Sequence, residues 1–147
     1  MSEFEKLFEP IRIRNTTFRN RIMATPTSLT WADYTGAPND NTIFYYEDKA
    51  RGGACSVTLS ETTISRTDAS RGVGHYIVPT NEFDPTPQLA KIVEAIRRHG
   101  AVPSVQIHHA GDVTFPELIG GRSPIGPDTY TRSDGVSVVG MDEDMMH

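Results

Sequence analysis

Residues 20–28 read Asn-Arg-Ile-Met-Ala-Thr-Pro-Thr-Ser, a short apolar run that ends in a proline set among hydroxyl-bearing residues. Ile22, Met23 and Ala24 form too short a run for a helix. Pro26 has no N–H and a fixed φ, so the pattern predicts a buried strand whose ladder stops near Thr25 and delivers a polar tip. The same arrangement recurs twice. Residues 54–62 hold Val57 and Leu59 and end in Glu61 and Thr62, while residues 102–108 set Val105 and Ile107 on one face and Ser104, Gln106 and His108 on the other. Two helical stretches lie between these strands. Ile43, Tyr46 and Ala50 share one face of a predicted helix over 41–51, capped by Asp40 and ended by Gly52-Gly53. Leu89, Ile92, Val93 and Ile96 share a face of the second, which opens at Pro85-Thr86-Pro87 with Thr86 as the capping hydroxyl and stops at Gly100.

The remaining segments frame this alternation. Residues 10–14 alternate apolar and polar side chains and turn through Asn15, Thr16 and Thr17 toward Phe18, which predicts a hairpin that caps rather than catalyses. Residues 31–39, with Trp31, Gly36 and Pro38, read as a polar loop, and residues 63–84 as another. Gly72-Val73-Gly74 in that second loop has no third glycine at the required spacing and neither follows a strand directly nor opens a helix, so it is not a dinucleotide fingerprint. Beyond Gly111, a run through Pro116, Gly120, Gly121, Pro124 and Pro127 predicts an active-site or interface loop. Asp142 then caps a further helix with Met145 and Met146 on its apolar side. Strands that alternate with helices make a parallel sheet with right-handed crossovers, either part of an eight-stranded barrel or part of an open doubly wound sheet.

Composition narrows the function. The 147 residues have the size of one domain, and 37% hydrophobic content supports a modest core. A net charge of −5 and a pI near 5.5 leave no basic stripe for phosphates, which excludes nucleic acid and favours small molecules or protein as partners. No apolar run approaches the roughly 18 residues that span a bilayer, and the first residues lack a charged-then-apolar leader, so no membrane and a cytoplasmic location are expected. Cys55, the single cysteine, sits at the entry to a predicted buried strand and reads as a packed thiol with no intramolecular disulfide.

Chemistry in parallel β/α folds collects at the carboxyl ends of the strands. There stand Thr25, Pro26, Thr27 and Ser28, then Glu61 and Thr62, then Gln106, His108 and His109. These are mostly neutral hydrogen-bonding groups. Adjacent His108 and His109 point to opposite sides of a strand, so no metal is expected, and neither a nucleophile elbow nor a close carboxylate pair is present. A carboxamide and several hydroxyls around a strand-end proline suit a planar heterocycle with alternating donors and acceptors, such as a flavin ring.

Five segments, 7–13, 20–28, 45–53, 61–63 and 106–111, stand in the order and spacing of the old yellow enzyme family, which the chain resembles over nearly its whole length. It looks most like the long bacterial branch of dienoyl-CoA, enoate and bile-acid-type reductases. The resemblance implies the N-terminal part of one FMN-binding domain, about three strands plus an N-terminal hairpin of a TIM (β/α)8 barrel, with the rest of the barrel outside this chain. It implies an FMN-dependent ene-reductase that reduces an activated C=C bond of an enoate or enone with NAD(P)H. Thr25, Pro26 and Thr27 match the segment that lines the flavin, and Ser28 the small hydroxyl or thiol that bonds the flavin carbonyl edge and tunes its potential. Thr62 falls where the family usually has alanine or glycine beside the ring, and Gln106 matches the carboxamide that reads the pyrimidine edge. His109 matches a third-strand histidine with a substrate-side or structural role. Asp112 stands where many members have arginine. No catalytic residue is carried over, since the family's substrate-anchoring pair, its tyrosine proton donor and its phosphate loops belong to later strands. A 4Fe–4S cluster and FAD belong to longer members. Such a chain is expected to be an oligomer or completed by further chain, the alternative being a non-catalytic barrel piece used for assembly or interaction.

Overall fold

Two short antiparallel strands close the amino end of the molecule. In the computed structural model, which describes residues 4–29, 32, 35–65, 67–72, 75–77 and 83–146, a turn of helix, α1 (Glu5–Phe8), leads into β1 (Ile11–Ile13) and β2 (Thr16–Phe18), paired with Ile11 opposite Phe18. Trp31 of the first loop and the Val73-Gly74 pair of the rejected glycine motif lie outside the described residues.

The β/α layers follow as β3 (Met23–Ala24), α2 (Asp40–Arg51), β4 (Ser56–Thr63), β5 (Tyr76–Ile77), α3 (Thr86–Arg98) and β6 (Val102–His108). All pairing in this sheet is parallel and centres on β4: β6 follows one edge, β3 joins the start with Met23 opposite Ser56, and β5 joins the tip with Thr62 opposite Tyr76. Because β6 covers one edge, β3 and β5 share the other, and β5 takes over the wall where Pro26 ends β3. The residue 63–84 stretch is therefore not all loop. Nor is 20–28 a buried strand: its ladder is confined to Met23 and Ala24, and Met23 is 56% exposed, because among the described residues β3 has a strand neighbour on one side only.

α2 and α3 each begin at the residue expected to cap them, so the cap position lies one residue earlier. Asn39, not Asp40, caps α2, its Oδ1 accepting the Thr42 N–H at 3.2 Å, and Asp40 is already helical. Thr86 is the first residue of α3 rather than its cap. Pro85 before it offers no side-chain acceptor, so the Thr86 N–H goes to Asp84 Oδ1 at 2.9 Å. Tyr46 and Ala50 of α2 and Ile92 and Ile96 of α3 pack on Val57 and Leu59 of β4, which forms the core. Each large side chain fully buried there contributes about 1.5–3 kcal/mol.

Arg19, just past the hairpin, ties the two helix ends together. Its Nη1 donates to His99 O at 2.6 Å, and its Nη2 donates to Ala50 O and Ala54 O, each at 2.8 Å. Carbonyls at a helix C-terminus have no helical partner and the dipole there favours a cation, so a guanidinium fork meets both needs.

One irregularity shapes the sheet. Leu59 opposes Val105 but Thr62 opposes Ile107, so β4 spends three steps where β6 spends two. The two displaced amides are both paired by side chains: the Ser60 N–H with Tyr46 Oη at 3.0 Å and the Glu61 N–H with Gln106 Oε1 at 3.3 Å. Before the bulge, Thr58 meets Ser104 on the inner face at 2.8 Å; after it, Glu61 takes the inner face and Thr62 joins Leu59 and Val105 on the side of α3.

The glycine- and proline-rich region is also more ordered than a loop. β7 (Ile125–Gly126), β8 (Tyr130–Thr131) and β9 (Ser137–Gly140) form a small sheet in the order β7-β9-β8, parallel then antiparallel, around buried Val138. Two-residue strands have no periodicity to read in a sequence. Arg132 fastens this sheet to the turn that follows β6, donating to Asp112 O at 2.8 Å and Thr114 O at 2.7 Å and lying over the Phe115 ring. The expected final helix is a three-residue turn, Asp144–Met146, with Asp142 Oδ1 accepting the Met145 N–H at 2.9 Å.

Candidate functional site

The inner face at the strand tips is where polar side chains converge. Gln106 stands there because alternation along β6 puts Ser104, Gln106 and His108 on one side. Its Oε1 is held by the Glu61 N–H, which leaves its Nε2 donor without a partner among the described residues. Glu61, turned inward by the bulge, accepts from Arg71 Nη1 at 2.9 Å on Oε1 and from the Ser28 hydroxyl at 3.3 Å on Oε2, and His75 Nδ1 lies 3.2 Å from the same Oε2. Ser28 and Gln106, expected to contact one ligand, are thus both held by Glu61. Arg71 and His75 carried no periodic signal; pairing of β5 with β4 brings them in.

The other expected residues divide. Thr25 and Thr27 are exposed and Pro26 half-buried at the β3 tip. Thr27 bonds the Tyr45 hydroxyl from α2; burial pushes that hydroxyl up, but the bonds with Lys49 and Thr27 outweigh it and hold Tyr45 below its ordinary value. Thr62 is 1% exposed, its hydroxyl bonds Ser60 O at 3.2 Å, and its side chain faces α3 rather than the mouth. His108 is half-buried, its Nδ1 has no partner among the described residues, and burial lowers its pKa against the opposing pull of Glu61. His109 is exposed, and its Nδ1 accepts the Gly111 N–H at 2.9 Å, so the neutral ring carries its proton on Nε2. Asp112 is committed to the small sheet, its carboxylate accepting from the Tyr130 hydroxyl.

Among the described residues there is no cluster of three metal-ligating side chains and no helix long and apolar enough to cross a membrane. What the mouth offers is a free carboxamide donor beside a carboxylate, with hydroxyls at the facing strand tip. That donor set fits the edge of a flat heterocycle with alternating acceptors and donors better than it fits a cation or a hydrolysable bond.

A parallel β/α wall with polar side chains gathered at its strand tips places the candidate site at the carboxyl ends of the strands, where β/α barrels carry theirs. The sequence profile of the NADH:flavin oxidoreductase / NADH oxidase family matches residues 6–144, and the chain belongs to that family, the old yellow enzymes. An NADH oxidase of Thermoanaerobacter brockii is 31% identical over 130 residues, 86% of this chain and 19% of that protein. An NADH:fumarate oxidoreductase of Klebsiella pneumoniae is 29% identical over 128 residues, again 86% of this chain and 13% of its own length. Among solved structures, a 2-naphthoyl-CoA reductase complex superposes with a TM-score of 0.84 at 24% identity, covering 97% of this chain and 23% of the other. Morphinone reductase with tetrahydroNAD gives 0.78 at 22%, covering 94% and 41%. These likenesses show the mixed α/β fold of the old yellow enzyme homologues, and this chain spans less than half of each relative.

Proposed function

We propose that this chain furnishes the opening part of an FMN-holding barrel, about three of eight strands plus the hairpin, in an NAD(P)H-dependent oxidoreductase of the ene-reductase type. The observation that carries the reading is Gln106, whose Oε1 is fixed by the Glu61 N–H while its Nε2 faces the mouth with no partner among the described residues. A carboxamide pre-oriented in this way reads a heterocycle edge with little loss of side-chain freedom. In this reading Thr25, Pro26 and Thr27 line the ring, Thr62 contributes backbone, and Ser28 sits beside the carbonyl edge.

FMN, when bound, supplies the electron transfer from NAD(P)H to an activated C=C bond of an enoate or enone. The chain's own residues bind and orient, and the exposed Nε2–H of His109 is available on the substrate side. The solved neighbours with tetrahydroNAD and 2-naphthoyl-CoA support a nicotinamide donor and a conjugated acyl substrate. In the same reading the whole protein works in the cytoplasm, as an oligomer or with further chain completing the barrel. Any 4Fe–4S cluster is held elsewhere, since Cys55, the single cysteine, is buried, and any FAD belongs to a longer parent protein.

Titration of the flavin-free protein that carries this sequence with FMN, followed by quenching of flavin fluorescence, tests the reading. Saturable binding that weakens in Gln106→Leu is expected. No binding by the wild type would leave the assembly-piece alternative in its place.

A further inference from the structure

We propose that Glu61 is a positioning residue that sets the direction of the Ser28 hydroxyl proton and thereby the redox balance of the bound ring; this rests on the functional reading above. A carboxylate can only accept, so the proton in the Ser28–Glu61 contact at 3.3 Å is the serine's. With its O–H directed at Glu61 Oε2, Ser28 turns oxygen lone pairs rather than a donor toward the mouth.

Three features hold the carboxylate to this task. The bulge aims Glu61 inward, the Gln106 carboxamide pins its N–H, and Arg71 and His75 grip its two oxygens from the segment that ends in β5. The side chain is only 18% exposed, so it has little room to swing away. The resemblance alone gives Ser28 the opposite task, a hydroxyl that donates to the ring. A donor beside the ring carbonyl favours the electron-rich reduced state, whereas a lone pair there disfavours it. Retracting the carboxylate frees the proton for the ring and makes the ring easier to reduce.

The test is a double-mutant cycle on the midpoint potential of the FMN-loaded protein that carries this sequence: wild type, Glu61→Asp, Ser28→Ala and the pair. Aspartate keeps the charge but falls one methylene short of Ser28. The expected result is a rise in potential for Glu61→Asp, at least half of which disappears when Ser28 is alanine. A rise of equal size in both backgrounds means that Glu61 acts by its charge or by general loosening, and overturns the proposal, as does no rise at all. Should Glu61→Asp fail to fold, Glu61→Gln, which keeps the length and puts an amide donor opposite Ser28, runs the same cycle with the same two readings. A wild type that takes up no flavin removes the functional reading and this proposal together, whereas normal uptake with a flat cycle removes only the role of Glu61.

Discussion

Gln106 is half engaged before any ligand arrives. Replacing it with leucine removes the Nε2 donor and also strips the Glu61 N–H of its acceptor, at a bulge where the ladder offers no other. Gln106→Leu is expected to weaken FMN binding by about 1–3 kcal/mol, measured by flavin fluorescence in the protein that carries this sequence. Affinity equal to wild type would show that the carboxamide does not read the ring. The residue was legible in the sequence because period-two alternation along 102–108 decides which side chains share a face. Arg71 and His75 were not legible: no periodic pattern surrounds them, and their approach to Glu61 depends on the pairing of two-residue β5 with the β4 tip. Thr62 shows the limit of alternation, since one extra residue in β4 sends its side chain to the α3 side.

At the scale of elements, the link between α2 and α3 is both mechanical and titratable. Arg19 joins their ends through three carbonyls, and a lysine cannot span that fork, so Arg19→Lys should cost about 1–3 kcal/mol in a denaturant melt. Further along, Glu47 on α2 meets His99 Nε2 at 3.0 Å and Arg98 Nη1 at 3.3 Å from the end of α3. The hydrogen bond with His99 lowers the Glu47 pKa, burial opposes it, and Arg98 adds to the lowering. A carboxyl depressed in the folded state adds stability that is present above its unfolded value and lost as pH falls through the folded one. Below pH 4.5, its ordinary value, the wild type should therefore lose melting temperature more steeply than Glu47→Gln. Parallel acid limbs for the two proteins would show that the contact contributes nothing. Helix faces and the alternation of long strands with helices were readable because long periodic segments carry them. Caps were displaced by one residue because Asn39 and Asp40, or Asp84 and Thr86, offer competing acceptors within one turn of chain.

For the whole molecule, the faces left uncovered decide behaviour. Val105 is 51% and Ile107 67% exposed on the outer side of β6, and Met23 is 56% exposed on β3. β3 and β6 flank β4 as parallel strands, and each presents an outer edge with no strand beside it among the described residues. Such edges and apolar strips invite pairing with more chain. A polypeptide of these 147 residues, prepared by itself, is therefore expected to self-associate or to remain ordered only around the β4 core. Its hold on FMN should be far weaker than that of a closed barrel, because by resemblance the phosphate-binding loops belong to later strands. Amide exchange should show Val57 and Leu59, packed beneath Tyr46 and Ile96, as the slowest positions, with β3 and the outer edge of β6 exchanging early. Size-exclusion chromatography run alongside supplies the deciding observation. A monodisperse monomer, protected evenly from β3 to β6 and binding FMN tightly, would show that the exposed faces need no further chain and that the barrel assignment fails.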